Sequence, residues 1–450
     1  MPDSINNPDF HFIAIGGVGQ SALAKILLCL GYSVSGSDIQ DSKYTKLVKD
    51  LGAKVYIGQK EENIKGKPKV VISSAIKENN PELKKARELG LEIMHRSDCL
   101  KYISELFPCF IGLSGTHGKT TTSGLLSFVM EKMNENPSYA IGGIIPELNI
   151  NAQGKRDSRY FIAELDESDK TIVKYNPDIL VINNIEEDHL DNYKDLNEII
   201  ETFKIAAGNS KKVFVNIDNS NIQKLKGDYI TYAIEHDAHY KAKNIKFDEL
   251  NSSFDIYKDG KYLTHINLII PGIHNVYNAL AIVSVLDYLG FKGYEKYFSE
   301  FRGMGRRFQL VADVNNIKII DDYAHHPSEI QSTLSSIKNL TRRKVVVFQP
   351  HRYTRLKALW SEFLNSFNEI DELYVLDTFC AGDNFDEKYN SKNFTDAIIQ
   401  KGINASYVKG TMQEAAEDIA KKLKKGDMVL TLGAGDVTKI GGIINDLLSK

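Results

Sequence analysis

The chain has 450 residues, 42% hydrophobic and 26% charged, with a formal net charge of −3; it is too long for one hydrophobic core and too evenly charged for a nucleic-acid surface. No apolar run approaches the ~20 residues that span a bilayer, and Met1–Asp9 lacks the basic and apolar stretches of a signal peptide. Cys29, Cys99, Cys109 and Cys380 have no metal-like spacing, so reduced cysteines in a cytoplasmic protein without membrane insertion are expected.

The N-terminal segment opens with His11-Phe-Ile-Ala-Ile15, a short strand by its apolar run. Gly16-Gly-Val-Gly-Gln-Ser21 then forms a turn, and Ala22 to Leu30 reads as an apolar helix. A second strand leads to Asp38, about 20 residues on, where a ribose-binding acid sits in dinucleotide folds. Gly17-x-Gly19-x-x-Ala22 in the first turn fits a nucleotide diphosphate resting on a helix N-terminus. The other reading of the motif is a structural turn without a ligand. Val70-Val-Ile-Ser73-Ser74 ends a further strand in two hydroxyls that face the same crevice, and His95-Arg96 follow another short apolar run.

The second segment carries the most informative stretch, Gly112-Leu-Ser-Gly-Thr-His-Gly-Lys-Thr-Thr-Thr122. It lies between the apolar run Cys109-Phe110-Ile111 and a helix-like run from Ser123 to Met133. A glycine turn between strand and helix lets N–H groups converge on phosphate. Lys119 reaches the terminal phosphates, and the Thr120 hydroxyl suits Mg²⁺. The loop Gly115-Thr-His-Gly-Lys-Thr120 is a short variant, with Leu113 where the common P-loop has glycine. Two further strands run into Glu164-Leu-Asp-Glu-Ser-Asp169 and into Asn183-Asn-Ile-Glu-Glu-Asp-His189-Leu-Asp191. A lysine, a carboxylate and an imidazole at neighbouring strand ends make a metal–triphosphate site. Asn275 and Asn278 share a helix face, and Asn275 sits where an N-cap is expected.

The third segment places Arg306-Arg307 before Phe308. Strands then run into Asp321-Asp322-Tyr323-Ala-His325-His-Pro327, Gln349-Pro-His-Arg352-Tyr-Thr-Arg355, Asp377 and Gly433-Ala-Gly-Asp436. This reads as another parallel sheet with polar carboxyl ends. Arg352 and Arg355, three apart, suit a small carboxylate.

Eight motifs in order resemble the Mur ligase family of peptidoglycan synthesis over nearly the whole chain. They are Ile15–Gly19, Gly115–Thr122, Glu164–Asp169, Glu187–Asp191, His274–Ala279, Gly305–Phe308, Asp322–Pro327 and Gln349–Arg355. The last two favour the branch that adds L-alanine over a murein-peptide-recycling sister. The resemblance implies an α/β protein of three domains: an N-terminal Rossmann-like UDP-binding domain (1–103), a central P-loop ATPase-like domain with a mostly parallel sheet (104–303) and a C-terminal Rossmann-like domain (304–450).

By the same resemblance, Gly16, Gly17, Val18, Gly19, Gln20, Ser21, Asp38, Ser73, Ser74 and Arg96 hold UDP-N-acetylmuramate. Gly115, Thr116, His117, Gly118, Lys119, Thr120, Thr121, Asn275 and Arg307 hold ATP. Thr120, Glu164 and His189 hold one or two Mg²⁺ ions. Lys119, Glu164, His189, Asn275, Asn278, Arg307 and Asp322 form the catalytic set, and Tyr323, His325, Arg352 and Arg355 receive L-alanine. His325 is the candidate base, with structural hydrogen bonding as its other role. Lys204 lies near the position of a modified lysine in some relatives and is left out. The expected state is monomer or homodimer. Two other classes fit parts of the chain. An NAD-dependent oxidoreductase leaves Gly115–Thr121 unexplained, and a nucleotide-sensing regulator would bind the same ligands without turnover.

Overall fold

The computed structural model describes residues 7–188, 192–338 and 340–449. The chain forms two compact units. The first joins Met1–Ile245, Ser253–Asn267 and Val276–Ser299; the second joins Lys246–Ser252, Leu268–Asn275 and Glu300–Lys450. Three sheets with flanking helices run through them, of five, ten and six strands, so the chain is α/β. No described helix is long and apolar enough to cross a membrane.

The first sheet contains β1 (Phe10–Ile13), β2 (Val34–Asp38), β3 (Lys54–Ile57), β4 (Lys69–Ile72) and β5 (Ile93–His95). All pairings are parallel, in the order β3-β2-β1-β4-β5. Chain order reverses between β1 and β4, and such a reversal opens a ligand crevice beyond the strand ends. The Gly16–Gly19 turn leaves β1 and Ser73-Ser74 leave β4, so both border that crevice.

The second sheet contains β6 (Cys109–Ser114), β7 (Ser138–Ile145), β8 (Ile150–Gln153), β9 (Tyr160–Glu164) and β10 (Ile179–Ile182). It continues with β11 (Lys212–Asn216), β12 (Ile230–Ala233), β13 (Tyr240–Asp248), β14 (Asn251–Lys258) and β15 (Lys261–Leu268). The order is β15-β14-β13-β12-β11-β10-β6-β9-β7-β8. Strand β6 lies between β9 and β10 and parallel to both, with Leu113 opposite Glu164 and Ser114 opposite Ile182. Its Phe110, Ile111 and Leu113 are buried, as a strand covered on both faces requires. The β7–β8 edge is antiparallel.

The third sheet contains β16 (Gln309–Val314), β17 (Ile317–Asp322), β18 (Lys344–Phe348), β19 (Glu372–Leu376), β20 (Ala405–Val408) and β21 (Met428–Leu432). Its order is β16-β17-β21-β18-β19-β20. It is not wholly parallel as expected: β16 pairs antiparallel with β17. The cause is local. Asn315 and Asn316 between them have φ of 53° and 62°, and two left-handed residues make the turn whose twist suits a tight hairpin.

The helices after β1 and β6 span Val18–Leu30 and Lys119–Lys132. Both start about one turn before the apolar runs that announce them, because residues 18–21 and 119–122 are mostly small or polar and carry no apolar period. Their N-caps are Gly17 and Gly118, and neither helix has a side-chain cap. The expected capping role of Asn275 is not realised: its helix spans Ile273–Tyr288, so Asn275 lies inside the first turn. All four cysteines are free; Cys99 is buried, Cys29 and Cys109 half-buried and Cys380 exposed.

Candidate functional site

The loop after β6 turns on two left-handed glycines, Gly115 at φ 134° and Gly118 at φ 81°. A Cβ on Gly115 would lie 3.0 Å from the Asn184 nitrogen, and one on Gly118 would lie 2.8 Å from Asn278 Oδ1. Asn184 grips the loop from β10: its Oδ1 accepts the His117 N–H at 2.7 Å and its carbonyl accepts the Thr116 N–H at 3.1 Å. The Thr116 hydroxyl accepts the Glu186 N–H at 2.9 Å, so it closes the loop. The His117 ring is exposed and pairs with Glu186 at 3.3 Å, which raises the imidazole pKa through that hydrogen bond.

Beneath the loop runs a buried polar chain. Tyr232 Oη donates to Asn183 Oδ1 at 3.1 Å, Asn183 Nδ2 donates to Thr122 Oγ1 at 2.8 Å, and Thr122 Oγ1 meets Asn278 Oδ1 at 3.1 Å. Asn278 therefore supports the loop from below. Gly118→Ala is expected to destabilise the fold by more than ~1 kcal/mol, since alanine resists positive φ and its methyl meets Asn278. Urea unfolding measures this, and an unchanged midpoint would contradict the close approach.

Lys119 Nζ lies 3.0 and 2.9 Å from the two Glu167 oxygens, and it also donates to the carbonyls of Gly115 (2.8 Å) and Thr116 (3.1 Å). Glu167 is 1% exposed. Burial pushes its carboxyl up, and the Lys119 ammonium works against that rise. Glu167, Asn183 and Asn184 were not singled out from sequence, although all lie in the polar runs quoted there.

Glu164 ends β9 and accepts the Gly142 N–H at 2.9 Å. Thr120 and Thr121 follow Lys119 on the first helical turn, half-buried. His189 lies outside the described residues. Among those described, no three His, Cys, Asp or Glu side chains cluster as a metal site. Magnesium suits such a set nonetheless, because it takes one or two carboxylates, a hydroxyl, water and substrate phosphates rather than an all-protein cage. Thr120, on the helix turn after β6, and Glu164, at the end of the neighbouring β9, are hard oxygen donors and fit it. Lys204 is exposed and pairs with Glu201 at 3.0 Å.

At the first sheet, Asp38 Oδ2 accepts the Gly16 N–H at 2.8 Å, and Asp38 is only 9% exposed. The acid thus shapes the glycine turn. A Cβ on Gly19 would lie 3.1 Å from Arg96 Cδ, which puts Arg96 against the turn. Ser74 Oγ lies 3.1 Å from His95 Nε2; Ser73 is half-buried at the end of β4, and Gly17 and Val18 are exposed. Gln20 and Ser21 differ from expectation. Both are buried, Gln20 Nε2 donates to the Ile13 carbonyl at 3.4 Å, and the Ser21 hydroxyl donates to the Val18 carbonyl at 3.0 Å. The Ser21 N–H is also engaged, donating to the Gly17 carbonyl at 2.8 Å, whereas the buried Gln20 Oε1 has no hydrogen-bond partner.

In the second unit, the β17 and β18 ends gather the residues expected to receive an amino acid. Ring centroids of Tyr323 and His325 are 5.1 Å apart, and those of His325 and His351 5.9 Å. Arg355 Nη1 lies 3.4 Å from His351 Nδ1. Arg352 is exposed at φ 68°, held by its N–H to the Phe379 carbonyl at 2.9 Å. The Arg307 guanidinium lies 5.7 Å from the Tyr323 ring centroid. His351, missed from sequence, is pushed down to about 4 by burial and by the charges of Arg355, His325 and Arg352. Asp322 accepts the N–H groups of Phe308 and Ala324, both at 2.8 Å, and burial pushes its carboxyl up to about 6. His325 Nδ1 lies 3.0 Å from the Tyr323 carbonyl and 3.2 Å from Glu329 Oε2. Burial opposes ionisation of Glu329, yet the His325 side chain and the N–H groups of His325 and His326 hold its carboxyl down to about 2. Asn275, also in this unit, donates to the Pro271 carbonyl at 2.7 Å.

The chain matches three family descriptions in series: Mur ligase family, catalytic domain, over residues 9–108; Mur ligase middle domain over 113–286; and Mur ligase, glutamate ligase domain, over 306–435. A UDP-N-acetylmuramate–L-alanine ligase of Pelotomaculum thermopropionicum is 39% identical over 96% of this chain and 95% of its own. That of Dictyoglomus turgidum is 40% identical over 97% and 96%. The crystal structure of a UDP-N-acetylmuramate–alanine ligase from Thermotoga maritima, 27% identical, superposes with a TM-score of 0.82 over 98% of this chain and 99% of that one. With three matched domains and full-length relatives of this identity, the chain belongs to the Mur ligase family.

Proposed function

We propose that this chain is an ATP-dependent enzyme that joins L-alanine to the carboxylate of UDP-N-acetylmuramate, releasing ADP and phosphate, in peptidoglycan precursor synthesis in the cytoplasm. One observation carries the reading: the lysine-bearing glycine loop on β6 is flanked by Glu164 on β9 and by the β10 segment on the other side, in a chain similar along its length to relatives bearing that name.

A carboxylate is a poor acyl donor because its leaving group would be oxide. Attack of a carboxylate oxygen on the γ-phosphorus, with ADP leaving, gives an acyl phosphate. The alanine nitrogen then attacks the acyl carbon, and phosphate leaves. Positioning and charge neutralisation dominate the first step. Lys119 and the N–H groups of the Gly115–Thr121 loop would hold the phosphates, and Arg307, Asn275 and Asp322 would complete the catalytic set. Thr120, Glu164 and His189 would hold Mg²⁺, which neutralises phosphate charge when bound.

The second step needs a neutral amine. His325 Nδ1 faces two acceptors, a carbonyl and a carboxylate, so it carries the hydrogen. Nε2 of the neutral ring then has the lone pair, which suits His325 as the base. Arg352 and Arg355 would take the alanine carboxylate beside Tyr323. We place the functional borders at 103/104 and 303/304.

ADP release measured with UDP-N-acetylmuramate against a panel of acceptors tests this. L-alanine is expected to give the highest kcat/KM, with L-serine and glycine lower by about 10–200-fold. A preference for a murein tripeptide, or ADP release without an acceptor, would contradict it. Asp38→Ala is expected to weaken UDP-N-acetylmuramate binding and spare ATP, because the Gly16 turn loses its anchor. Calorimetry showing unchanged UDP-sugar affinity would remove Asp38 from that site.

A further inference from the structure

The ammonium of Lys119 has three N–H donors, and four acceptors surround it: two Glu167 oxygens and the carbonyls of Gly115 and Thr116. Every donor is engaged within the protein. A triphosphate that takes Lys119 must displace one of these partners. The two carbonyls belong to the loop that cradles the phosphates. Glu167 is the one anion among these three residues, and it offers what a phosphate offers: two charged oxygens.

Its position is fixed from both sides. The Tyr193 hydroxyl donates to the Glu167 carbonyl, and the Glu167 side chain is only 2% exposed against 12% for Lys119. Glu164, three residues earlier, points its carboxylate to Gly142 instead. The two glutamates of this run therefore have separate partners.

We propose that Glu167 is the positioning residue of the phosphate lysine, a built-in anion that holds Lys119 over the loop and competes with the nucleotide phosphates for it. The proposal rests on Lys119 being the phosphate ligand. Glu167 then keeps the loop closed around a cation before nucleotide arrives, and it reclaims Lys119 as ADP leaves. A merely structural acid would give the opposite sign on binding, since its loss would loosen the loop.

Isothermal calorimetry with ADP on the full chain separates the two. Glu167→Gln is expected to tighten ADP binding by roughly 3- to 10-fold, as the anion that occupies Lys119 before nucleotide arrives is removed. In a Lys119→Met background the same change is expected to have a clearly smaller effect, because the two residues act as a coupled pair. Glu167→Asp, which withdraws the carboxylate by one methylene, should also tighten binding, and it serves if the glutamine variant fails to fold by thermal melting. Weaker ADP binding in the Glu167 variants, or equal tightening with and without Lys119, would overturn the competition. Unchanged ADP binding in Lys119→Met alone would overturn the underlying reading of Lys119 together with it. Weakened binding in Lys119→Met beside weakened binding in Glu167→Gln would overturn the competition only.

Discussion

Replacing Lys119 with alanine is expected to lower turnover by at least about 10²–10³-fold at saturating substrates, the cost of losing one preorganised charge contact in a transition state. The structure adds a second consequence. Lys119 is the ion-pair partner of Glu167, which is 1% exposed. Removing one member of a buried pair costs up to about 3–5 kcal/mol, because a charge is left buried. Burial already pushes the Glu167 carboxyl up, so protonation absorbs part of that cost. The variant should melt lower while keeping its fold. Adding Glu167→Gln to Lys119→Ala should restore melting temperature and leave turnover low. Steady-state kinetics and melting curves on the two variants check this. Near-normal turnover in Lys119→Ala would discard the phosphate-clamp role. Turnover recovered together with melting temperature would make the defect one of stability alone.

Arg355→Ala should raise the KM for L-alanine by about 30-fold, equivalent to losing ~2 kcal/mol from a hydrogen bond to a charged group. The KM for ATP should stay within about threefold. The two differ because Arg355 sits among His351, His325 and Tyr323 in the second unit, whereas the glycine loop, Lys119 and Glu164 belong to the first. A direct signature accompanies the kinetics. Arg355 is one of the charges that hold the His351 ring down to about 4, so its removal should move the His351 titration upward toward the ordinary imidazole value. Proton NMR of the imidazole reads this. Equal rises in both KM values would move Arg355 out of the amino-acid pocket.

The strand-to-loop junctions were legible in the sequence because glycine marks them chemically. Gly115 and Gly118 take φ values that other residues resist, and the apolar runs before them are buried strands. The adjacency of β9, β6 and β10 followed from three apolar runs ending in polar residues, of which only that of β6 carries glycines. Edge strands were harder. The hairpin at Asn315-Asn316 rests on two asparagines at positive φ, a weaker signal than Asn-Gly, and β7–β8 lies in a stretch with mixed exposure.

Within the site, residue type predicted chemistry better than partner. Glu164 and Glu167 stand in one acidic run, and no periodicity tells which faces Lys119. Asp38 was read as a ribose acid, yet its carboxylate takes the Gly16 N–H. Asn278 stands in the expected catalytic set, and one of its contacts is the underside of the loop through Thr122. Gln20 and Ser21 stood in a ligand motif, but the helix begins at Val18, which turns their side chains inward. Each of these depends on which neighbour a side chain meets across the fold, and a single sequence records no such neighbours.

The central claim is that a carboxylate is phosphorylated at the β6 loop and then captured by an amine. Turnover with UDP-N-acetylmuramate labelled with ¹⁸O in its carboxylate tests it most directly. One labelled oxygen should appear in the released phosphate, because the bond from acyl carbon to that oxygen breaks when alanine attacks. Phosphate free of label, formed together with the alanyl product, would contradict the account.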